Sequence, residues 1–193
     1  PHKMPALLAL ARHAAEHRDW SLARDRMLRA RDIGLADGLR AWKPSFYSRL
    51  AHFLEEAGDV SEAEAMLRQG LEEHPGDAML GNHLAYFWAV HDRNLATAKE
   101  LVRHALEQQP RNGAFVDTLG WIYYRMGRHQ EALAQLTVAL RLEGEDPVIL
   151  DHLGDVLHAL GRTDEAVAYW RRSLRLDPDA AHVAEKIRLN DSQ

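Results

Sequence analysis

Three polar side chains that could ligate a metal or move a proton lie close together near the end of the chain. Asp151, Asp155 and His158 are spaced by four and three residues, which places them on one face of a helix, and His152 lies beside them. Metal ligation by a single helix requires a more demanding pattern, such as two histidines four residues apart with a further ligand. A solvated or partner-facing polar surface is the favoured interpretation, and no metal or other cofactor is expected.

The sequence contains no arrangement typical of catalysis. It has no cysteine, so disulfides, thiolate metal sites and a cysteine nucleophile are excluded. The glycines recur periodically instead of forming a phosphate-binding loop, and no serine stands at a motif spacing from a histidine and an acid. We therefore expect a protein that is not an enzyme.

The charge distribution disfavours nucleic acid as a partner. Residues 1–43 contain nine Lys and Arg against five Asp and Glu, a balance of +4, and the remainder must carry −9 to give the total of −5. An acidic body binds phosphate backbones poorly. The arginines of segment 24–31 are interspersed with Asp25 and followed by Asp32, so local salt pairing is the better interpretation of that segment. No stretch is apolar over the length that a membrane-spanning helix needs, so membrane insertion is not expected.

Small residues recur along the chain with a period of 34 to 35 residues. The first series is Ala51, Ala85, Gly120 and Gly154. The second series is Ala63, Ala98, Ala132 and Ala166. Within each period two apolar runs with helical spacing are separated by a short polar turn, which predicts a helical hairpin. One extra residue falls between Ala85 and Ala98 and is assigned to the turn at 91–94.

The glycines are predicted to have two roles. Gly120 and Gly154 lie inside helices, where the missing side chain would let the partner helix approach at its own small residue, Ala132 or Ala166. Another set is expected to end first helices in a left-handed conformation that costs glycine little. This set comprises Gly58, Gly127 and Gly161.

The order of residues in these units resembles the tetratricopeptide repeat. The third unit carries "LGWIY" followed by Ala132 and Leu136, and the fourth carries "LGDVL" followed by Ala166, Trp170 and Pro178. The resemblance implies an all-α fold, an α-solenoid of helix-turn-helix repeats wound into a right-handed superhelix. It also implies a surface lined by first helices.

The resemblance divides the chain into six segments. Residues 1–43 are expected to form a degenerate repeat, with small residues in phase at Ala11, Ala23 and Ala30, and an irregular linker. Residues 181–193 are expected to be a capping helix and tail that cover the apolar end of the array. Between them lie four clear repeats, at 44–77, 78–112, 113–146 and 147–180.

The family implies a non-catalytic adaptor or scaffold that binds a peptide or protein segment in its concave groove. In the family, contacts come mainly from first-helix positions that point away from the second helix. Carried onto this sequence, those positions are Ser48, His52, Glu55, Asn82, His83, Tyr86, Asp117, Trp121, Tyr124, Arg125, Asp151, Asp155 and His158.

The residue types in this set suggest different roles. Its aromatic members are typical binding anchors, although packing of Trp121 against neighbouring repeats is an equally open alternative. The aspartates could receive a basic segment and Asn82 an extended peptide backbone, or these side chains could simply be solvated. The histidines could make binding pH-dependent. Arg125 is the main cation of the set. The clamp with which some family members bind the two carboxylates of a peptide C-terminus needs lysines as well as an arginine, so a ligand of that kind is disfavoured.

Two alternative functions stay open from the sequence. The basic first segment and the acidic remainder could associate head to tail into a self-assembling homo-oligomer, or the chain could be the recruitment arm of a larger protein. The last two units are also similar to the closing repeats of bacterial cell-envelope adaptors, many of them secreted or lipid-anchored. The start "PHKMP" is compatible with a removed targeting segment, so cytoplasm and periplasm are equally consistent with the sequence.

Overall fold

The computed structural model describes residues 3–39 and 42–190, and within them every regular element is an α-helix. The start of the chain at Pro1 and His2, the linker residues Arg40 and Ala41, and the tail from Asp191 lie outside the described residues. The helices are α1 (Lys3–Glu16), α2 (Trp20–Ala36), α3 (Pro44–Glu56), α4 (Val60–Glu73), α5 (Ala78–Val90), α6 (Leu95–Gln108), α7 (Gly113–Arg125), α8 (His129–Glu143), α9 (Pro147–Ala159), α10 (Thr163–Leu176) and α11 (Ala181–Asn190).

The chain divides into two compact units, Pro1–Leu84 and Ala85–Gln193. In the first unit α1 packs on α2, α2 on α3 and α3 on α4. In the second unit each helix from α6 to α11 packs on the next along the chain. This succession of helical hairpins confirms the predicted all-α fold class. None of the described helices combines the length and the apolar character required to cross a bilayer.

The hairpin α1–α2 shows why the degenerate repeat keeps its small residues. Ala11, Ala23 and Ala30 are fully buried. A larger side chain at any of them would have to displace the facing helix, because protein interiors are packed without spare volume. The phase of small residues thus survives here without the rest of the repeat pattern.

Turns between the two helices of a hairpin follow the predicted glycine rule. Gly58, Gly127 and Gly161 have φ of 90°, 73° and 77°, and each follows a first helix within two residues of its end. The hairpin α5–α6 has no such glycine, and its turn at 91–94 contains two left-handed residues, Asp92 and Asn94. That turn is four residues long where the other three have three, which confirms the position of the extra residue.

The mid-helix glycines provide room for large side chains, and the prediction that they face small residues is wrong. A Cβ at Gly120 would lie 2.7 Å from Cγ of Leu136, and a Cβ at Gly154 would lie 2.3 Å from Nε1 of Trp170. The neighbouring helix therefore sends a leucine or an indole ring into the space that the glycine leaves empty. Ala132 is buried, but it is not the residue that requires glycine.

The last helix packs its apolar face on the end of the second unit. Val183 of α11 is 1% exposed and joins the buried cluster of Leu157, Ala166 and Trp170, against which Ile187 also packs. Burial of apolar side chains on one face is what holds a short terminal helix in place.

Candidate functional site

The first unit carries part of the predicted partner-binding set. These residues are Ser48, His52, Glu55, Asn82 and His83. Ser48 and Glu55 are half-buried, and His52 is exposed. The ring of His52 makes an edge contact with Trp20, with centroids 5.4 Å apart. His52 is therefore the most accessible of the five.

Asn82 and His83 lie deeper in the structure. Asn82 is 6% exposed, and its Oδ1 accepts no hydrogen bond from any described residue. Burial lowers the pKa of His83, and the nearby His52 lowers it further, while Asp77 acts in the opposite direction. His83 is thus neutral at a pH where an exposed histidine is partly charged.

The second unit carries the remaining predicted residues. They are Tyr86, Asp117, Trp121, Tyr124, Arg125, Asp151, Asp155 and His158. Most of them lie on the first helices α7 and α9.

Local sequence signals fix where α7 and α9 begin. Asn112 accepts a hydrogen bond from the backbone N–H of Phe115, and Asp146 accepts from those of Val148 and Ile149. Side-chain caps of this kind satisfy N–H groups that a helix leaves unpaired at its start. The caps set the register in which the polar side chains of both helices meet.

Three stacked rings form the central feature of the second unit. The indole of Trp121 lies 4.1 Å from the ring of His152 at an interplanar angle of 15°. The ring of Tyr124 also stacks on Trp121, with centroids 4.7 Å apart and an interplanar angle of 23°. Tyr86 of α5 lies further out, with its ring centroid 6.2 Å from that of His152. We call Tyr124, Trp121 and His152 the aromatic stack.

The aromatic stack answers, in part, the question of whether Trp121 packs or is exposed. Trp121 is half-buried, since its ring packs against His152 while part of it stays accessible. Its Nε1 is buried and has no acceptor among the described residues. The ring is therefore held by stacking and not by a hydrogen bond of its own.

An ion pair beneath the aromatic stack joins α7 to α9. His152 Nδ1 and Asp117 Oδ1 are 2.9 Å apart, and both side chains are less than one-tenth exposed. Burial by itself lowers the pKa of His152, but the charge and hydrogen bond of Asp117 raise it, with smaller contributions from Asp151 and Asp155, and the net pKa is raised. The buried imidazole is thus stabilised in its charged form.

A second polar cluster lies at the end of the same unit. Lys186 of α11 donates to Asp151 at 2.8 Å and to Asp155 at 2.8 Å. Trp170 Nε1 also donates to Asp155, at 3.1 Å. Burial and the adjacent Asp151 raise the pKa of Asp155 in spite of Lys186, because two carboxylates share one ammonium group. Both predicted aspartates are accordingly occupied by a residue of the chain itself.

The two remaining predicted residues stand apart from these clusters. Arg125 donates to the carbonyl of Val90 at 2.9 Å and lies 3.6 Å from Asp92, so it joins α7 to the end of α5. His158 is exposed, with its ring 5.7 Å from that of Trp170.

The residues missed by the sequence analysis are those that complete the pairs. Asp117 binds His152, and Asp151 binds Lys186, in each case 35 residues further along the chain. That separation is one repeat plus one residue, so the repeat period itself contained the signal. His182 also lies 3.2 Å from Asp151, at a separation of 31 residues that the repeat period does not indicate.

Residues 3–39 and 42–190 contain no group of three or more His, Cys, Asp or Glu side chains arranged to hold a metal ion. In the first segment of the chain, Arg24 pairs with Asp25 and Arg31 with Asp32, which agrees with the local salt pairing predicted for these two arginines. Arg24 also pairs with Asp59 of α4, which is not a local contact.

A family model described as tetratricopeptide repeat matches residues 2–178. The chain belongs to the tetratricopeptide repeat family. Repeats of this family are in general non-catalytic scaffolds for protein–protein interaction, and their members bind protein partners.

Similar proteins agree with this assignment. A TPR repeat-containing protein of Pseudomonas aeruginosa is 36% identical over 87 residues, which is 45% of this chain but only 15% of that protein's length. The crystal structure of a thermophilic TPR protein of Thermus thermophilus matches with a TM-score of 0.79 at 21% identity, over 97% of this chain and 98% of that one. A chain of the APC/C hetero-tetramer Cut9-Hcn1 matches with a TM-score of 0.73 at 18% identity, over 98% of this chain and 36% of that one. At these identities the structural matches indicate the fold alone.

Proposed function

We propose that this tetratricopeptide repeat protein is a non-catalytic adaptor, and that the aromatic stack of its second unit anchors a peptide or protein segment. The observation that supports this proposal is the half-buried pair of Trp121 and Tyr124 on one first helix, fixed from below by His152 and Asp117. Large aromatic rings held rigidly are the side chains that contribute most to binding energy at protein interfaces.

The state of the Tyr124 hydroxyl supports an extended, uncharged segment as the ligand. Burial raises the pKa of that hydroxyl and Asp155 raises it further, while Lys186 and Arg125 act in the opposite direction. Tyr124 therefore stays protonated and able to donate a hydrogen bond, for which a backbone carbonyl is a suitable acceptor. Asp151 and Asp155 are themselves paired with Lys186, so their charge does not select an acidic or a basic segment.

The test is selection of peptides from a displayed library on the purified protein, followed by affinity measurement with variants. The double variant Trp121→Ala, Tyr124→Ala is expected to bind a selected peptide about tenfold or more weakly, because truncation of an anchoring aromatic typically costs about 2 kcal/mol. Circular dichroism verifies that the variant keeps its helices.

A matched control removes two exposed apolar side chains from elsewhere in the same unit. Val148 and Leu176 are 47% and 46% exposed, and the double variant Val148→Ala, Leu176→Ala is expected to bind like the wild type. Equal binding by all three proteins would exclude the aromatic stack as the binding site. Weakened binding by the control would show that general loss of apolar surface explains the effect.

A further inference from the structure

His152 touches both the buried pair and the aromatic stack. Its Nδ1 is bound by Asp117, while one face of its ring lies parallel to the indole of Trp121 with 4.1 Å between centroids. The imidazole therefore lies in direct contact with both Asp117 and the indole of Trp121.

The charged form of His152 is the form that holds the indole best. An imidazolium over an aromatic face is attracted to the electron-rich ring, and the attraction increases where water is excluded. His152 is 5% exposed, so this condition is met. The same charge strengthens the hydrogen bond to Asp117, which fixes the plane of the imidazole.

The indole of Trp121 is held by ring contacts and not by a hydrogen bond of its own. Its Nε1 is buried without an acceptor among the described residues, so no hydrogen bond fixes its rotation. Its other stacking partner, Tyr124, is half-buried, whereas His152 is buried. The position of the indole is consequently set from the side of His152.

The groups that face His152 favour its charged form. Asp117 approaches from α7, and Asp151 and Asp155 act from its own helix, all three favouring the proton. The ring of Tyr86 faces it from α5 without a charge. Lys186 of α11 donates to the two aspartates of α9, and among the described residues it makes no hydrogen bond to the imidazole.

We propose that protonated His152, held by Asp117, is the positioning residue for Trp121, so that partner binding is stronger when His152 is charged and weakens when it loses its proton. This inference rests on the proposed function of the aromatic stack. It also assigns the pH dependence to His152 instead of to the predicted His52, His83 and His158.

The experiment follows one selected peptide across about pH 6 to 9, the range in which a histidine with a raised pKa loses its proton. Wild type is expected to lose affinity about three- to tenfold as pH rises, which corresponds to loss of a desolvated cation–π contact. His152→Gln is expected to bind more weakly at the low end and to show no such loss. His104→Gln, exposed on α6 of the same unit and outside the predicted partner-binding set, is the matched control and is expected to keep the wild-type profile.

A second variant distinguishes positioning from a merely structural role. Asp117→Asn keeps a hydrogen-bonding partner of the same size but removes its charge, so the midpoint of the binding profile is expected to move to lower pH. A flat wild-type profile, an unchanged profile in His152→Gln, or an unmoved midpoint in Asp117→Asn would each overturn the proposal. If His152→Gln does not fold, Asp117→Asn decides the matter alone.

A measurement without peptide separates this inference from the proposed function. The indole N–H signal of Trp121 in the nitrogen–proton correlation spectrum of the free protein is expected to shift with the same midpoint as the ring protons of His152. If no peptide binds but the two signals titrate together, the proposed function fails while the coupling of His152 to Trp121 stands. If the Trp121 signal does not respond, the inference fails even where peptides bind.

Discussion

At the junction of α7 and α9, Asp117 accepts a hydrogen bond from His152, and one repeat later Asp151 accepts one from Lys186 of α11. Both pairs span 35 residues, so α11 supplies its cation from the position that a first helix of a further repeat would use. The inner pair is almost completely buried, whereas Lys186 remains 28% exposed along its side chain. The aspartate at the same position of two successive repeats thus binds a buried histidine in one case and a partly exposed lysine in the other.

The two junctions also differ in how their carboxylates are balanced. Asp117 has one imidazole to itself, while Lys186 serves two aspartates and Trp170 donates to one of them. Burial by itself lowers the pKa of Lys186, but the two aspartates raise it overall, so this ammonium stays charged throughout the neutral range. The inner junction therefore depends on an imidazole and the terminal junction on an ammonium group.

The largest difference in stability between the two junctions is expected when the aspartate of each pair is replaced by alanine. Asp117→Ala leaves a buried imidazole without its partner and should lower the free energy of unfolding by about 3 kcal/mol, the lower end for a broken buried pair, because His152 can lose its proton. Asp151→Ala leaves Lys186 with Asp155 and partial access to water, so about 1 kcal/mol is expected.

Urea unfolding followed by far-ultraviolet circular dichroism measures both changes. Equal losses for the two variants would mean that burial does not separate the junctions, and a larger loss for Asp151→Ala would reverse the comparison.

A smaller difference is expected at the paired glycines of the same two first helices. Gly154→Ala places a Cβ against the rigid indole of Trp170 and disturbs its hydrogen bond to Asp155, so a loss of about 2 kcal/mol is expected. Gly120→Ala meets the flexible side chain of Leu136, and with the gain in helix propensity the loss should be about 1 kcal/mol or less.

Thermal melting of the two glycine variants side by side provides the measurement. A Gly154→Ala protein as stable as Gly120→Ala would show that the ring of Trp170 shifts without cost, contrary to this prediction.

The smallest effect is expected from pH on stability. Because the pKa of His152 is raised in the folded protein, its stabilisation is complete below the unfolded value of about 6.5 and is lost as pH rises through the folded pKa. The stability gap between wild type and His152→Gln should therefore narrow on going from about pH 6 to about pH 9.

Lys186→Gln is the comparison for this effect. Its gap to wild type should stay constant over the same range, since the raised pKa of Lys186 keeps the ammonium charged there. A gap that narrows for Lys186→Gln and not for His152→Gln would contradict the assignment of pH sensitivity to the inner junction.

Much of the fold could be predicted because repetition amplifies weak local signals. A single alanine at position 166 means little, but small residues in phase over several units indicate a hairpin that must pack closely. The cap glycines could be predicted from the same phase, since a left-handed residue is required at each turn. The extra residue at 91–94 was located for the same reason, by counting against the other units.

The candidate site was predictable only to the level of the helix face. The spacing predicted that Trp121 and Asp117 lie on one side of α7. It could not predict that Asp117 bonds to His152 or that the indole of Trp121 stacks on the same imidazole. Whether these residues bind a partner stays a prediction.

By itself the sequence determined the repeat period, the helical hairpins and their turns, because these depend on residues close together in the chain. Only the tertiary structure decided which large side chains fill the space above Gly120 and Gly154, and which cation each aspartate receives. Those outcomes depend on the approach of separate helices and on the water that their packing excludes, which no local pattern specifies.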